Sequence, residues 1–247
     1  MESKKIFNSH WSYKNRSEYI ERLKKEKFEL IIIGGGITAA GIAREAALRG
    51  IKTALIEKND FAFGTSSRSS KLAHGGIRYL GNGEFGLVRE STTERNWLRN
   101  HFPNLVRPIA FNFCSYEGSP DTSLKIRTAV YLYDFFSDFM SEFKNYKKHR
   151  IMTTEELIED EPKVKTEGLK MCGQYYDTNV DDARLTLETI KESVSTGNLI
   201  LAGTSDIVIP RAATILPINA KAFLNSFFIR YLFLQIISKY MCHFQFI

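Results

Sequence analysis

Gly34, Gly35 and Gly36 close the apolar run "FELIII", and Ala39 follows three residues after Gly36. This is the G-x-G-x-x-G/A spacing that brings a backbone against a pyrophosphate. At Gly34 the missing side chain permits a tight turn. At Gly36 it leaves room for the phosphates, and a small residue at Ala39 allows close packing of helix on sheet. Ile37 and Thr38 stand where a helix would begin, its free amides facing an anion. Glu57, twenty-three residues after Gly34, is a carboxylate at the distance that suits the hydroxyls of a ribose. Lys58, next in sequence, joins the same cofactor-binding set. A glycine turn that only packs a helix on a sheet is the plainer alternative, but it does not call for an acid at a strand end.

A second set of chemically useful residues follows in "TSSRSSKLAHGGIRYL", residues 65 to 80. The fingerprint alone serves NAD or FAD. A flavin ring lies far from its pyrophosphate and needs a second contact loop. Thr65, Ser66, Ser67, Ser69 and Ser70 bring hydroxyl and backbone donors for phosphate and ring. The glycines after His74 let the chain pass close to a flat surface. The loop therefore favours FAD over NAD.

The elements that must hold these residues are legible in the pattern. "FELIII" has the length of a buried parallel strand. "ITAAGIAREAALRG" has helical spacing and closes on Gly50. "IKTALIEKND" is a second short strand, which completes a βαβ unit. Upstream, "SHWSYKNRSEYIERLKKEKF" reads as an amphipathic helix with Ser17 as N-cap and Tyr19, Ile20 and Leu23 inward. Downstream, helices are expected in "EFGLVRESTTERNWLRNHFPN", ended by Pro103, and in "SPDTSLKIRTAVYLYDFFSDFMSEF". In the second of these, Tyr131, Tyr133, Phe135, Phe136 and Phe139 read as core. "TTEELIEDEP" is a short helix capped by Thr154 and closed by Pro162. "GLKMCGQYYD" is a strand, and "VDDARLTLETIKESVSTG" is a helix with Asp182 as N-cap and Gly197 as its end.

Composition narrows the classes. With 43% hydrophobic and 25% charged residues among 247, a sizeable core is affordable and disorder is not the default. The net charge of +6 suits an anionic ligand or a membrane surface. No nucleic-acid-binding signature is present. The three cysteines lie far apart, without a metal, redox or disulfide spacing. The first thirty residues carry eight Lys/Arg and five Glu, which is not a secretory signal.

The motifs "IIIGGGITAAGIAREAALRG", "LIEKNDFAFGTSSRSSKLAHGGIRYL" and "YDTNVDDARLTLETIK" closely resemble the FAD-dependent glycerol-3-phosphate dehydrogenases and related glycerophosphate oxidases. "IRTAVYLYDFFS" fits as well, and the resemblance runs from about Phe28 to about Gly197. It implies an α/β fold: an FAD-binding Rossmann-type parallel sheet with part of a mixed α+β substrate domain. It implies oxidation of sn-glycerol 3-phosphate to dihydroxyacetone phosphate, C2 hydride passing to flavin and electrons to a membrane quinone or to oxygen. It also implies a peripheral membrane protein at the cytoplasmic face, and a homodimer. By the same resemblance Gly34, Gly35, Gly36 and Ile37 match the pyrophosphate turn and Glu57 the ribose acid. Thr38 and Ala39 stand where the family has Asn-Gly. Thr65, Ser66 and Ser67 match a loop toward the pyrophosphate, and Ser69, Ser70, Lys71, Leu72 and His74 a stretch beside the flavin ring. Arg78 matches a substrate-site arginine suited to a phosphate dianion, with Tyr79 beside it. His74, Arg78 and Tyr79 form the candidate catalytic set. Each has a plainer alternative: Lys71 a solvated loop charge, His74 a satisfied core histidine, Arg78 an ion-pair partner of Glu84 or Glu90. Arg184 reads as a structural partner.

These readings divide the chain into a helical extension over 1–27, an FAD-binding domain with the start of a substrate domain over 28–198, and a divergent tail over 199–247. The tail holds one acidic residue, Asp206, of the 28 in the chain, and six of the 18 phenylalanines. Three readings of it stand: out-of-frame sequence after a frameshift near codon 199, a diverged C-terminus, or a membrane-associating amphipathic segment. The first leaves an inactive fragment of such an enzyme as the alternative function, and the third a membrane-associating remnant.

Overall fold

The structure is a computed structural model that describes residues 12–139, 143–195 and 199–203. Its elements in chain order are α1 (Arg16–Lys25), β1 (Leu30–Ile33), α2 (Ile37–Leu48), β2 (Thr53–Glu57), β3 (Leu72–Ala73), α3 (Phe85–His101), β4 (Val106–Tyr116), α4 (Ser123–Phe139), β5 (Arg150–Met152), α5 (Thr154–Asp160), β6 (Leu169–Val180), α6 (Asp182–Ser195) and β7 (Leu199–Gly203). They fall into two bodies, one from the residues up to Lys71 and from Asp181 onward, the other from Leu72–Val180.

The first body is the expected α/β unit. β1, β2 and β7 form a parallel sheet in the order β1-β2-β7. Small residues decide how α2 lies on it. Ala40, Ala43 and Ala46 are fully buried, so the helix backbone comes close to Ile32 and Leu55, and Ile190 of α6 completes the cluster. Arg44 donates to Glu192 from Nε at 2.7 Å and from Nη2 at 3.2 Å, and pins α2 to α6. The uninterrupted apolar run in β1 predicts burial on both faces, yet only Ile32 is buried and Ile31 and Ile33 are exposed. Among the described residues, β1 is an edge of this sheet.

The second body is built on an antiparallel sheet in the order β3-β6-β4, with β5 also paired to β6. β6 is its organising strand: twelve residues long, it pairs β4 from Val106↔Val180 to Tyr116↔Leu169 and β3 through Leu72↔Asn179 and Ala73↔Thr178. Ile77, Val88, Val130 and Tyr133 make one core of this body, and Met152, Leu157 and Cys172 another.

Several local expectations shift. α1 begins after Asn15, with no side-chain cap, so Ser17 lies inside its first turn. Tyr19, Ile20 and Leu23 are half-buried. α5 is capped by Thr153, not Thr154: Thr153 and Glu156 form a reciprocal capping box. α6 is capped by Asp181, whose carboxylate accepts from the Arg184 amide at 3.0 Å, which frees Asp182 for another task. The aromatic stripe of α4 divides. Tyr133 is fully buried, whereas Tyr131, Phe135 and Phe139 are exposed, because the helical period puts Ile126, Val130, Tyr133 and Ser137 on the inner face. Gly197 and residues 204–247 lie outside the described residues. No described helix is long and apolar enough to cross a membrane.

Candidate functional site

In the first body three parts of the sequence converge on the start of α2. Gly34 has φ of 104°, open to glycine alone, and its amide donates to Ile56 O at 2.7 Å, tying the turn to β2. A side chain at Gly35 would meet Phe61 at 2.5 Å and Glu57 at 3.1 Å, so the middle glycine of the triplet is required by packing. The Gly35 amide donates to Glu57 Oε2 at 2.6 Å, and Glu57 Oε1 accepts from Asn59 N at 2.7 Å. The carboxylate at the end of β2 is thus held in place through one acceptor site on each oxygen, and a second site on each remains for the hydroxyls of a ribose. Twenty-nine residues on, buried Ser66 accepts from Ile37 N at 2.9 Å, and its hydroxyl stands at the α2 N-terminus. A Cβ on Gly36 would lie 3.3 Å from that oxygen.

The rest of the Ser-rich loop is fastened by an acid. Asp182 Oδ2 accepts from the Ser69 hydroxyl at 2.5 Å, and Oδ1 from Lys71 Nζ at 3.2 Å. Ser69 Oγ in turn accepts from Lys71 N at 3.0 Å, and Lys71 has φ of 56°. The Asp182 carboxylate and the Ser69 hydroxyl thus hold Lys71 in a left-handed backbone, which costs a non-glycine residue about 1 kcal/mol or more. Ser67 turns its hydroxyl onto Phe63 O and Gly64 O, both at 3.3 Å. Lys58, Thr65 and Ser70 are exposed, Leu72 is half-buried and Ala39 is buried.

His74, Arg78 and Tyr79 belong to the second body. Gly76, with φ of 74°, turns the chain out of β3 into a 3-10 helix, Ile77–Asn82, that carries Arg78 and Tyr79. The His74 and Tyr79 rings lie 6.5 Å apart. Burial pushes the His74 imidazole below its ordinary pKa; Asp177 opposes this, and Arg78 and Arg95 add to it. The ring is therefore mostly neutral at pH 7. Arg78 is exposed and enters no ion pair among the described residues, so the alternative of pairing with Glu84 or Glu90 is not what the structure shows. Burial likewise raises the Tyr175 phenol, and Asp177 adds to it.

Residues 29–212 match the family described as "DAO: FAD dependent oxidoreductase". The chain belongs to this FAD-dependent oxidoreductase family. It is 40% identical over 196 residues to the aerobic glycerol-3-phosphate dehydrogenase of Bacillus subtilis (strain 168), covering 78% of this chain and 34% of that one. It is similar in structure to the glycerol-3-phosphate dehydrogenase from Bacillus halodurans complexed with FAD, at TM-score 0.54 and 32% identity, over 77% of this chain and 29% of that one. The L-alpha-glycerophosphate oxidase from Mycoplasma pneumoniae shares the fold at TM-score 0.51 and 16% identity, over 72% of this chain and 45% of that one. The chain spans about a third of the length of the curated relatives it matches. The family match runs through β7, which continues the sheet beside β2.

The residues present fit the cofactor of the family. A cradle at Gly36 that a side chain would fill, a hydroxyl at the α2 N-terminus and a half-satisfied carboxylate at a strand end suit the pyrophosphate and ribose of FAD. Two groups escaped the sequence reading. Asp182 is a loop fastener; its contact partners lie more than a hundred residues away, and no local pattern announces them. Asp177, at the end of the expected strand "GLKMCGQYYD", and the buried Arg95, within the expected helix "EFGLVRESTTERNWLRNHFPN", are the second. Their signal was a polar middle, "RESTTERN", in a helix whose ends are apolar. Ser91, Thr92, Glu94, Arg95 and Asn96 are all buried.

Proposed function

We propose that this chain serves the oxidation of sn-glycerol 3-phosphate to dihydroxyacetone phosphate, with FAD as cofactor and a membrane quinone as final acceptor. The observation that carries the reading is the grouping of His74, Arg78 and Tyr79 in one body of an FAD-dependent oxidoreductase. FAD supplies, when bound, the two-electron acceptor. Gly34, Gly36, Ile37 and Ser66 hold its pyrophosphate and Glu57 its ribose. The exposed Arg78 guanidinium offers a bidentate contact to the substrate phosphate. His74, mostly neutral at pH 7, takes the proton of the C2 hydroxyl as C2 gives up its hydride. Tyr79 donates a hydrogen bond to the substrate. The names of the relatives support glycerol 3-phosphate as substrate. A net charge of +6 supports peripheral attachment to an anionic inner membrane face, and the protein is a homodimer in this reading.

Dye-linked turnover of glycerol 3-phosphate tests this, measured for the 247-residue chain and for the chain joined to the C-terminal two thirds of the Bacillus subtilis relative. The joined protein should reduce dye much faster than the chain alone, and Arg78→Met in it should raise KM. A joined protein that holds FAD yet reduces no dye with glycerol 3-phosphate would overturn the reading.

A further inference from the structure

The second body contains a buried charge network that the proposed chemistry does not itself use. Arg95 on α3 is fully buried and gives all its donors to protein. Nη1 donates to Asp177 Oδ1 at 2.9 Å, Tyr133 Oη at 3.0 Å and Tyr176 O at 3.0 Å. Nη2 donates to Ser137 Oγ at 2.7 Å, Asn96 Oδ1 at 3.0 Å and Asn145 Oδ1 at 3.2 Å. Burial alone would lower its pKa, but Tyr133 and Asp177 hold the guanidinium above its ordinary value. A buried ion pair contributes little net stability in general, so its presence invites another role.

That role is visible on the other side of Asp177. The same Oδ1 accepts from Tyr133 Oη at 2.8 Å and from the Gly75 amide at 2.9 Å. The next residue of β6, Thr178, donates its hydroxyl to Ala73 O at 2.5 Å. Asp177 and Thr178 therefore hold the peptide groups on both sides of His74. The loop is also pressed against the network: a Cβ on Gly75 would meet Tyr133 Oη at 2.3 Å and Thr92 Cγ2 at 2.5 Å. Only a glycine after the histidine lets the backbone reach the carboxylate.

We propose that Asp177, locked by Arg95 and Tyr133, is a positioning residue that with Thr178 fixes the backbone around His74 and so sets where its imidazole sits. The proposal rests on the reading of His74 as the base, but the clamp is measurable without substrate or cofactor. The charged groups acting on the ring are Asp177 from β6, Arg95 from α3 and Arg78 from the 3-10 helix, with the Tyr79 ring beside it.

The test is NMR on the 247-residue chain: the pH titration of the His74 ring and the exchange rate of the Gly75 amide. Asp177→Asn keeps an acceptor but removes the charge. It should move the His74 titration to lower pH and speed Gly75 exchange about ten-fold relative to the Val88 amide. Tyr133→Phe conserves volume and removes one bond to the carboxylate. It should speed Gly75 exchange in the same direction, and it serves if the charge variant does not fold. Unchanged Gly75 exchange in Tyr133→Phe, or an unmoved His74 titration in a folded Asp177→Asn, overturns the proposal. If the clamp responds as stated while His74→Gln leaves turnover of the joined protein intact, the functional reading fails and the clamp stands.

Discussion

Gly75→Ala should be among the most damaging methyl additions in the second body, although its backbone is not left-handed. The added carbon would lie 2.3 Å from Tyr133 Oη and 2.5 Å from Thr92 Cγ2, where ordinary contact begins at 3.4 Å. Neither neighbour can retreat cheaply. Tyr133 and Thr92 are fully buried; the Tyr133 hydroxyl is bonded to Asp177 and Arg95, and Thr92 Oγ1 is tied to Val88 O at 2.8 Å. Overpacking of this kind costs about 1–3 kcal/mol. Pushing Gly75 N off Asp177 adds about 1–2 kcal/mol for a bond to a charged acceptor. A total of about 3 kcal/mol corresponds to a fall of roughly 10 °C in melting temperature for a chain of this size. Thermal unfolding followed by the fluorescence of Trp97, which stacks on His101 at 4.2 Å in α3, reads the change in a Trp11→Phe background. Gly86→Ala is the control: it lies in α3 with nothing within 4 Å of the new carbon, and should stabilise by about 0.5–1 kcal/mol. Melting of Gly75→Ala within a degree of the parent would refute the packing argument.

Three further outcomes are expected. Ser66→Ala removes the acceptor for Ile37 N and should cost about 1 kcal/mol in denaturant unfolding, with weaker FAD binding; an unchanged midpoint and affinity would count against a role for Ser66 at the turn. Arg95→Met leaves Asp177 buried without its partner and should cost about 3–5 kcal/mol, read in the same assay; a loss below 1 kcal/mol would show the network to be dispensable. The His74 pKa is lowered on folding from 6.5, so its stabilising contribution is present above that pH and lost as pH falls. The stability of the parent relative to His74→Gln should therefore fall between pH 7 and pH 5, by up to about 1.4 kcal/mol per pH unit; a flat difference would show that the ring is not held away from its charged form.

The βαβ unit was legible because every local signal agreed: an apolar strand, glycines at a fixed spacing, an alanine-rich helix and an acid at the second strand's end. The convergence of Ser66 on Ile37 could be read only as a loop near the phosphates, since the bond joins residues 29 apart. The polar middle of α3 ran against the rule that polar residues face water. Burial there is decided by partners on β6 and α4, Asp177 and Ser137, that no helical period reveals. The same limit explains the α4 stripe: aromatic residues at 131, 135 and 139 share one face, but the inner face is set by Tyr133 and its bond to Asp177. Cap positions at α5 and α6 were off by one residue because adjacent Thr-Thr and Asp-Asp pairs offer two equivalent caps to sequence.

The most direct test of the central claim is a titration of the purified 247-residue chain with FAD, followed by quenching of flavin fluorescence. Parallel titrations use NAD as a competing ligand and Gly36→Val as the variant. The Gly36 site admits no extra carbon without crowding Ser66 Oγ at 3.3 Å, and a valine there would fill the seat of the pyrophosphate. Saturable FAD binding that NAD does not displace, lost in a folded Gly36→Val chain, is the predicted result. Unchanged FAD binding by that variant, or equal binding of NAD, would contradict the account.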